Sequence, residues 1–117
     1  MQRDRVLLDD MRAAATRIVA LVEELSFKDF ADQDTQREAV LWNLTILGEA
    51  ASQLSVELRE KHPKVRWRDP IDLRNRVVHG YSTVDVEIVY QTAITHVPRI
   101  LDDIQVVIAA EYPPDGD

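Results

Sequence analysis

The sequence predicts an all-α fold, an antiparallel helical bundle of three long helices and one or two short ones. Two observations carry this. Apolar residues recur at alternating three- and four-residue spacings over three long stretches, and 117 residues contain only three glycines and five prolines. The spacing places one apolar stripe along a helix. The shortage of turn residues argues against a sandwich or barrel of many short strands. A chain of this length is one domain's worth, expected over residues 1–112, with 113–117 as a flexible tail. It can bury enough surface to fold without a metal or disulfide staple.

The first stripe runs Leu8, Met11, Ala15, Ile18, Val22 and Leu25, with Asp4 as the expected cap. A polar stretch over 26–33, containing Phe27 and Phe30, interrupts the pattern. The second stripe is Val40, Leu44, Leu47, Ala51, Leu54 and Leu58. Asp34 or Thr35 should cap it, with Arg37 and Glu38 on its outer face. It should end or bend near 52–55 and continue for a turn or two to Lys61, before His62-Pro63. Asp69-Pro70 is a start signal, an aspartate cap followed by proline at the first helical position. The short helix it opens should run through Ile71, Leu73, Val77 and Val78 to His79, closed by Gly80. The last stripe reads Val86, Tyr90, Ala93, Val97, Ile100, Ile104 and Val107, capped by Asp85. Pro98 inside it should kink the helix or remove one backbone bond.

Composition limits the function. Apolar residues make up 45% and charged residues 30%, which is globular rather than disordered. With no cysteine there are no disulfides, thiolate zinc sites or cysteine nucleophiles, which suits a reducing cytoplasm. No stretch has the length and apolarity of a membrane span, and MQRDRVLLDDMR has no signal-peptide core. The net charge of −7 argues against a general nucleic-acid coat protein. Charge is unevenly placed, however. From Arg59 to Arg76 seven bases face three acids, a local +4, while the other 99 residues carry −11. Such a window is either a phosphate-facing patch or a solvated helix–loop face.

Within that window and just beyond it lies Arg74-Asn75-Arg76-Val77-Val78-His79-Gly80-Tyr81. An arginine and a histidine separated by four residues mean little alone, but they fit the needs of phosphodiester cleavage. RNA cleavage needs a group to take the 2′-hydroxyl proton, one to protonate the leaving oxygen, and a cation for the phosphate. Histidine can transfer protons at neutral pH. Arginine presents a planar fork of donors that matches phosphate oxygens two at a time. No cofactor is called for, and no cluster of side chains shows metal-ligand spacing. On a helix Arg74 and His79 lie about 140° apart, so either His79 sits at a frayed end or a second subunit completes the site.

Each residue also has a plain structural reading. Arg74 can form a salt bridge with Glu49 or Asp72, and His79 near a helix C-terminus is favoured by the dipole. Asn75 is either an orienting hydrogen-bond partner or a solvated side chain. Tyr81 by itself reads as a half-buried aromatic after a turn. Glu49 borders an apolar stripe and is costly to bury without a cation, so it should hold Arg74 or Arg76. His62 is expected to be exposed and inert, and His96 to lie on a helix surface. Trp42 and Trp67 read as core or interface rather than base-stacking platforms.

The motif resembles the Arg-(polar)-x-x-x-His signature of the HEPN superfamily of helical-bundle ribonucleases. Its extension to Tyr81 is similar to the HepT toxins. The resemblance continues through Ile46-Leu47-Gly48-Glu49-Ala50, Trp67, Asp69-Pro70-Ile71, Val84-Asp85 and Val97-Pro98. It implies a metal-independent endoribonuclease toxin with Arg74 and His79 as catalytic residues and Asn75 and Glu49 in support. It also implies a homodimer whose two motifs face one cleft, which the basic window from Arg59 to Arg76 should line or rim, with Arg66, Arg68 and Arg76 as RNA-contacting candidates. The implied partner is an MNT-type nucleotidyltransferase antitoxin that adenylylates Tyr81 and joins the toxin in a larger complex. A different class of function keeps the same fold: a non-catalytic helical subunit that docks a nucleotidyltransferase and presents its substrate.

Overall fold

The computed structural model describes residues 2–79 and 85–114, leaving out the side chains of Gln2, Val78 and His79. Among the described residues six helices follow in order: α1 (Gln2–Val22), α2 (Phe27–Asp32), α3 (Asp34–Gln53), α4 (Val56–Lys61), α5 (Arg68–His79) and α6 (Val86–Glu111). The three long helices are the three stripes read from the sequence. α1 packs against both α3 and α6, and α5 seats on α3. The chain is elongated, 47 × 30 × 21 Å, because α6 alone spans about 39 Å at 1.5 Å per residue.

The core is built from the expected stripes. Leu8, Met11, Ala15 and Ile18 of α1 are fully enclosed, as are Val40, Leu47 and Ala51 of α3 and Ala93, Val97 and Ile104 of α6. Burying a side chain of the Leu, Ile or Met kind stabilises the fold by about 1.5–3 kcal/mol, so this seam outweighs every polar contact described below. α6 runs unbroken through Pro98. The proline supplies no N–H, so the carbonyl of Ile94 lacks its helical donor.

Several helix ends differ from the sequence reading. The stretch over 26–33 contains a helix, α2. Ser26 caps it by accepting from the backbone N–H of Asp29 at 3.1 Å, and buried Phe30 packs against the ring of Tyr90 at 5.3 Å. Tyr90 in turn donates its hydroxyl proton to the carbonyl of Leu25 at 2.5 Å. α3 begins at Asp34 with Gln33 as its cap, and Gln33 makes no side-chain capping bond. The carboxylate of Asp34 is instead taken by Arg37 at 2.6 Å. Arg37 also donates to the carbonyl of Ala31 at 2.6 Å, so it ties α2 to α3 rather than facing outward.

Asp4 does not cap α1. It lies inside the first turn, 5% exposed, and accepts from the N–H and hydroxyl of Ser55 at 3.0 and 2.7 Å. Ser55 is itself the cap of α4, accepting from the N–H of Leu58 at 3.1 Å. The carboxylate therefore clamps the joint between α3 and α4, the place where the second stripe was expected to bend. α5 starts at Arg68, ahead of the Asp69-Pro70 signal. Pro70 still occupies the first turn, where a missing N–H costs nothing. Buried Trp67 anchors this earlier start by donating its indole N–H to the carbonyl of His62 at 3.0 Å. Gly80, expected to close α5, lies outside the described residues, whereas Asp85 caps α6 as expected.

His62 is not inert. Its Nε2 lies 2.7 Å from Glu111, and Lys61 donates to the other oxygen of that carboxylate at 3.0 Å. The end of α6 thus returns over α4 and is held there. These two hydrogen bonds, His62 foremost, keep the Glu111 carboxyl below its ordinary value of 4.5. A carboxyl lowered on folding adds stability that is complete above its unfolded value and is lost as pH falls through the folded one. Glu111→Gln should therefore be less stable than wild type above the ordinary carboxylate range, with the gap narrowing as pH falls below it. Urea midpoints measured across that range test this, and a gap that stays constant refutes it.

The second prediction concerns the α3–α5 contact. A Cβ built on Gly48 would fall closer than 3.0 Å to Cβ and Cγ of Arg74 and to the carbonyl oxygen of Pro70. None of these is the movable tip of a side chain, so α5 itself would have to shift. Alanine normally gains about 1 kcal/mol over glycine inside a helix. Overpacking costs about 1–3 kcal/mol or more. Gly48→Ala should lower the unfolding free energy by up to about 2 kcal/mol, the difference between those terms. A thermal midpoint at or above wild type would show that the helices separate freely.

Candidate active site

α5 divides its residues cleanly. Pro70, Leu73 and Val77 are buried, while Asp72, Asn75 and Arg76 are exposed. Arg74 lies at the border, its side chain 20% exposed, with its stem packed over Gly48 of α3. The residue after that glycine is Glu49, and its Oε1 lies 3.2 Å from Nη1 of Arg74. Of the partners open to Arg74 and Glu49 in the sequence, the structure pairs them with each other. Asp72 faces Arg68 at 3.5 Å instead.

Glu49 is itself oriented from behind. Gln53, one turn along α3, donates its amide to Oε2 at 3.1 Å and accepts from Arg3 of α1 at 2.6 Å. A chain of polar contacts thus runs Arg3, Gln53, Glu49, Arg74 across three helices. With Glu49 51% exposed, the ion pair contributes at most about 1 kcal/mol. Its effect is on direction: it holds one end of the guanidinium in place. The Nε of Arg74 is buried with no hydrogen-bond partner among the described residues, so this side chain is tightly placed without being fully satisfied.

α5 carries the backbone of His79 at its last residue, about 7.5 Å along the axis from Arg74 and about 140° around it. The side chain of His79 and the whole of Tyr81 lie outside the described residues. Asn75, exposed, stands one turn before His79 on the helix. Arg66 and Arg68 project from the start of α5, each only loosely paired, at 3.5 Å to Asp69 and Asp72 respectively. Arg76 is exposed on the side away from Arg74.

The tryptophans divide. Trp67 is core, as expected. Trp42 is 65% exposed, which removes it from the core, because α3 buries positions 40, 41, 43 and 44 around it. His96 is exposed on α6. Among the described residues no three His, Asp or Glu side chains converge as metal ligands would, and no helix is long and apolar enough to cross a membrane. The sequence reading missed the roles of Gly48 and Gln53. A glycine in the middle of a strongly periodic helix was the available signal for the first.

Comparison with known proteins decides the family. The model of the family described as "Ribonuclease HepT-like" matches residues 11–107, most of the chain. The chain belongs to the HepT-like ribonuclease family. It is similar to a protein of Caldanaerobacter subterraneus subsp. tengcongensis named as a candidate RNase, 28% identical over 111 residues, covering 95% of this chain and 99% of that one. A candidate RNase of Methanocaldococcus jannaschii is 27% identical over 88% of this chain and 94% of its own length. A Thermococcus cleftensis protein named "Probable ribonuclease HepT" is 29% identical over 80% of this chain and 84% of its own length. No solved structure matches the chain significantly. This HepT-like chain is thus an enzyme of the ribonuclease class, with the all-α bundle that its sequence predicts.

Proposed function

We propose that the chain is a metal-independent endoribonuclease toxin that cuts RNA with Arg74 and His79 and is silenced by a nucleotidyltransferase antitoxin. The observation that carries this is the placement of Arg74. Its stem is fixed by the close approach of α5 to α3 and its guanidinium by Glu49, on the same helix that ends at His79. A cation fixed this way stabilises charge on a phosphate without reorganising during the reaction.

In the proposed reaction the imidazole of His79 accepts the 2′-hydroxyl proton and the 2′-oxygen attacks phosphorus. The new P–O2′ bond forms as the P–O5′ bond breaks, and a protonated imidazole gives its proton to the leaving 5′-oxygen. The products are a 2′,3′-cyclic phosphate and a 5′-hydroxyl. Because Arg74 and His79 lie about 140° apart on one helix, a homodimer with both motifs at one cleft completes the set, one histidine acting as base and the other as acid. Asn75, one turn before His79, orients it. Arg66, Arg68 and Arg76 hold the flanking strand, and their loose pairing leaves them available to phosphate.

Control falls to Tyr81. Its phenolic oxygen attacks the α-phosphate of ATP bound by the antitoxin, forming a phosphodiester to AMP and releasing pyrophosphate, while the phenolic proton goes to solvent. The adenylate adds negative charge and bulk two residues from His79, and both oppose RNA entry. Toxin and antitoxin assemble into a larger complex, and the pair acts in the cytoplasm, where RNA and ATP are available.

His79→Ala and Arg74→Ala should each lower RNA cleavage by at least about a hundredfold while keeping the helical circular dichroism signal. Wild-type cleavage should survive EDTA. A His79→Ala protein that cuts normally refutes the assignment, and harmless expression of the wild-type chain favours the non-catalytic subunit instead. For Tyr81 the test is mass spectrometry after co-expression with the antitoxin. Adenylate should appear on wild type and be absent from Tyr81→Phe, which should keep its nuclease activity. Equal labelling of both would place the acceptor elsewhere.

A further inference from the structure

The motif helix has a second face, turned away from Arg74, that carries Arg76. α5 seats on α3 while α6 packs on α1, and a hollow of about 300 Å³ lies between α5 and α6. Arg66, Asp69, Asp72 and Arg76 line it from α5 and its lead-in, and Thr92 and His96 line it from α6. The buried side chains of Leu73 and Ile100 give it an apolar floor. A second hollow of about 350 Å³ shares Thr92 and His96 with the first and continues along α6 to Glu87 and Asp85.

We infer that this pair of hollows is a nucleotide subsite, which takes the ribonucleotide next to the scissile bond with its phosphate at Arg66 and Arg76 and its base on the His96 ring. The inference rests on the ribonuclease reading above and names where the substrate strand goes.

Charge along the trough supports it. Both arginines stand at one end, beside Asp69 and Asp72, whereas the other end carries the carboxylates of Asp85 and Glu87 with no arginine or lysine. A nucleotide has the matching polarity, an anionic phosphate at one end and base-edge donors at the other. The acids beside the arginines do not close the basic end. Asp69 and Asp72 hold Arg66 and Arg68 only at 3.5 Å, and Arg76 has no ion-pair partner among the described residues. An imidazole above an apolar floor suits an unstacked base, the form in which single-stranded RNA is read. A docked protein would more commonly need a broad apolar face, and the mixed charges here do not offer one.

Geometry on α5 links the trough to the motif. Arg76 follows Arg74 by two residues, about 200° around the axis, so the two arginines project on opposite sides of one helix. A strand crossing the C-terminal end of α5 therefore meets Arg74 on the α3 side and Arg76 on the α6 side.

The test uses a short 2′-O-methyl oligoribonucleotide, which lacks the attacking hydroxyl and cannot be cut, with binding followed by fluorescence anisotropy. Arg76→Ala should weaken binding and reduce the slope of log affinity against log salt by about one. His96→Ala should weaken it roughly tenfold, and His96→Phe, which keeps a ring, should restore most of that loss. In cleavage assays the same loss should appear in KM with kcat held. Arg17→Ala, on the exposed side of α1, should change neither measure. Wild-type binding and wild-type KM in both alanine variants overturn the subsite and leave the nuclease reading intact. Binding that depends on these residues in a chain that cuts no RNA supports the subsite and removes the nuclease reading.

Discussion

The placement of α5, and of Arg74 on it, depends on how closely this helix lies to α3. Gly48 sits in the middle of α3, where alanine would be the better helix former by about 1 kcal/mol. The chain keeps a hydrogen there because a methyl group would meet the stem of Arg74 and the backbone of Pro70. Closeness at this point sets where Arg74 lies, and the next residue, Glu49, sets which way it points. The division of labour follows from magnitudes. A half-exposed ion pair is too weak to hold two helices together, whereas packing can do so and leaves the carboxylate only the task of aiming.

The sequence made the three long helices legible because a stripe at helical spacing reports which face a helix buries. Nearly every stripe residue, from Leu8 to Val107, is in the core. The pairing of Glu49 with Arg74 was legible in part, since an acid at the edge of an apolar stripe needs a cation. Tertiary partners of helix ends were not legible. Asp4 with Ser55 and His62 with Glu111 join residues about fifty positions apart, and no local pattern records such distances. α2 escaped notice because a six-residue helix is too short to show a period, and its order comes from Ser26 and the aromatic contact with Tyr90.

The −7 net charge, at odds with an enzyme of RNA, is resolved by placement rather than amount. Acids are spent locally at several helix junctions: Asp4 at the α3–α4 joint, Asp34 beside Arg37, and Glu111 over α4. The arginines around the start of α5 are left with loose partners in solvent. Interactions between exposed charges are screened within about 10 Å at ordinary salt, so the distant acids do little to cancel this local field.

The polar relay from Arg3 to Arg74 ties the first turn of α1 to α5 by way of α3. Arg3 lies in the first turn of α1, so a displacement of that turn would also move the guanidinium that orients Gln53. A purification tag fused to the amino end would lie directly beside the relay, and one fused beyond Tyr112 would lie beside the α4–α6 clasp. The choice of tag position is therefore also a choice about how Arg74 is held.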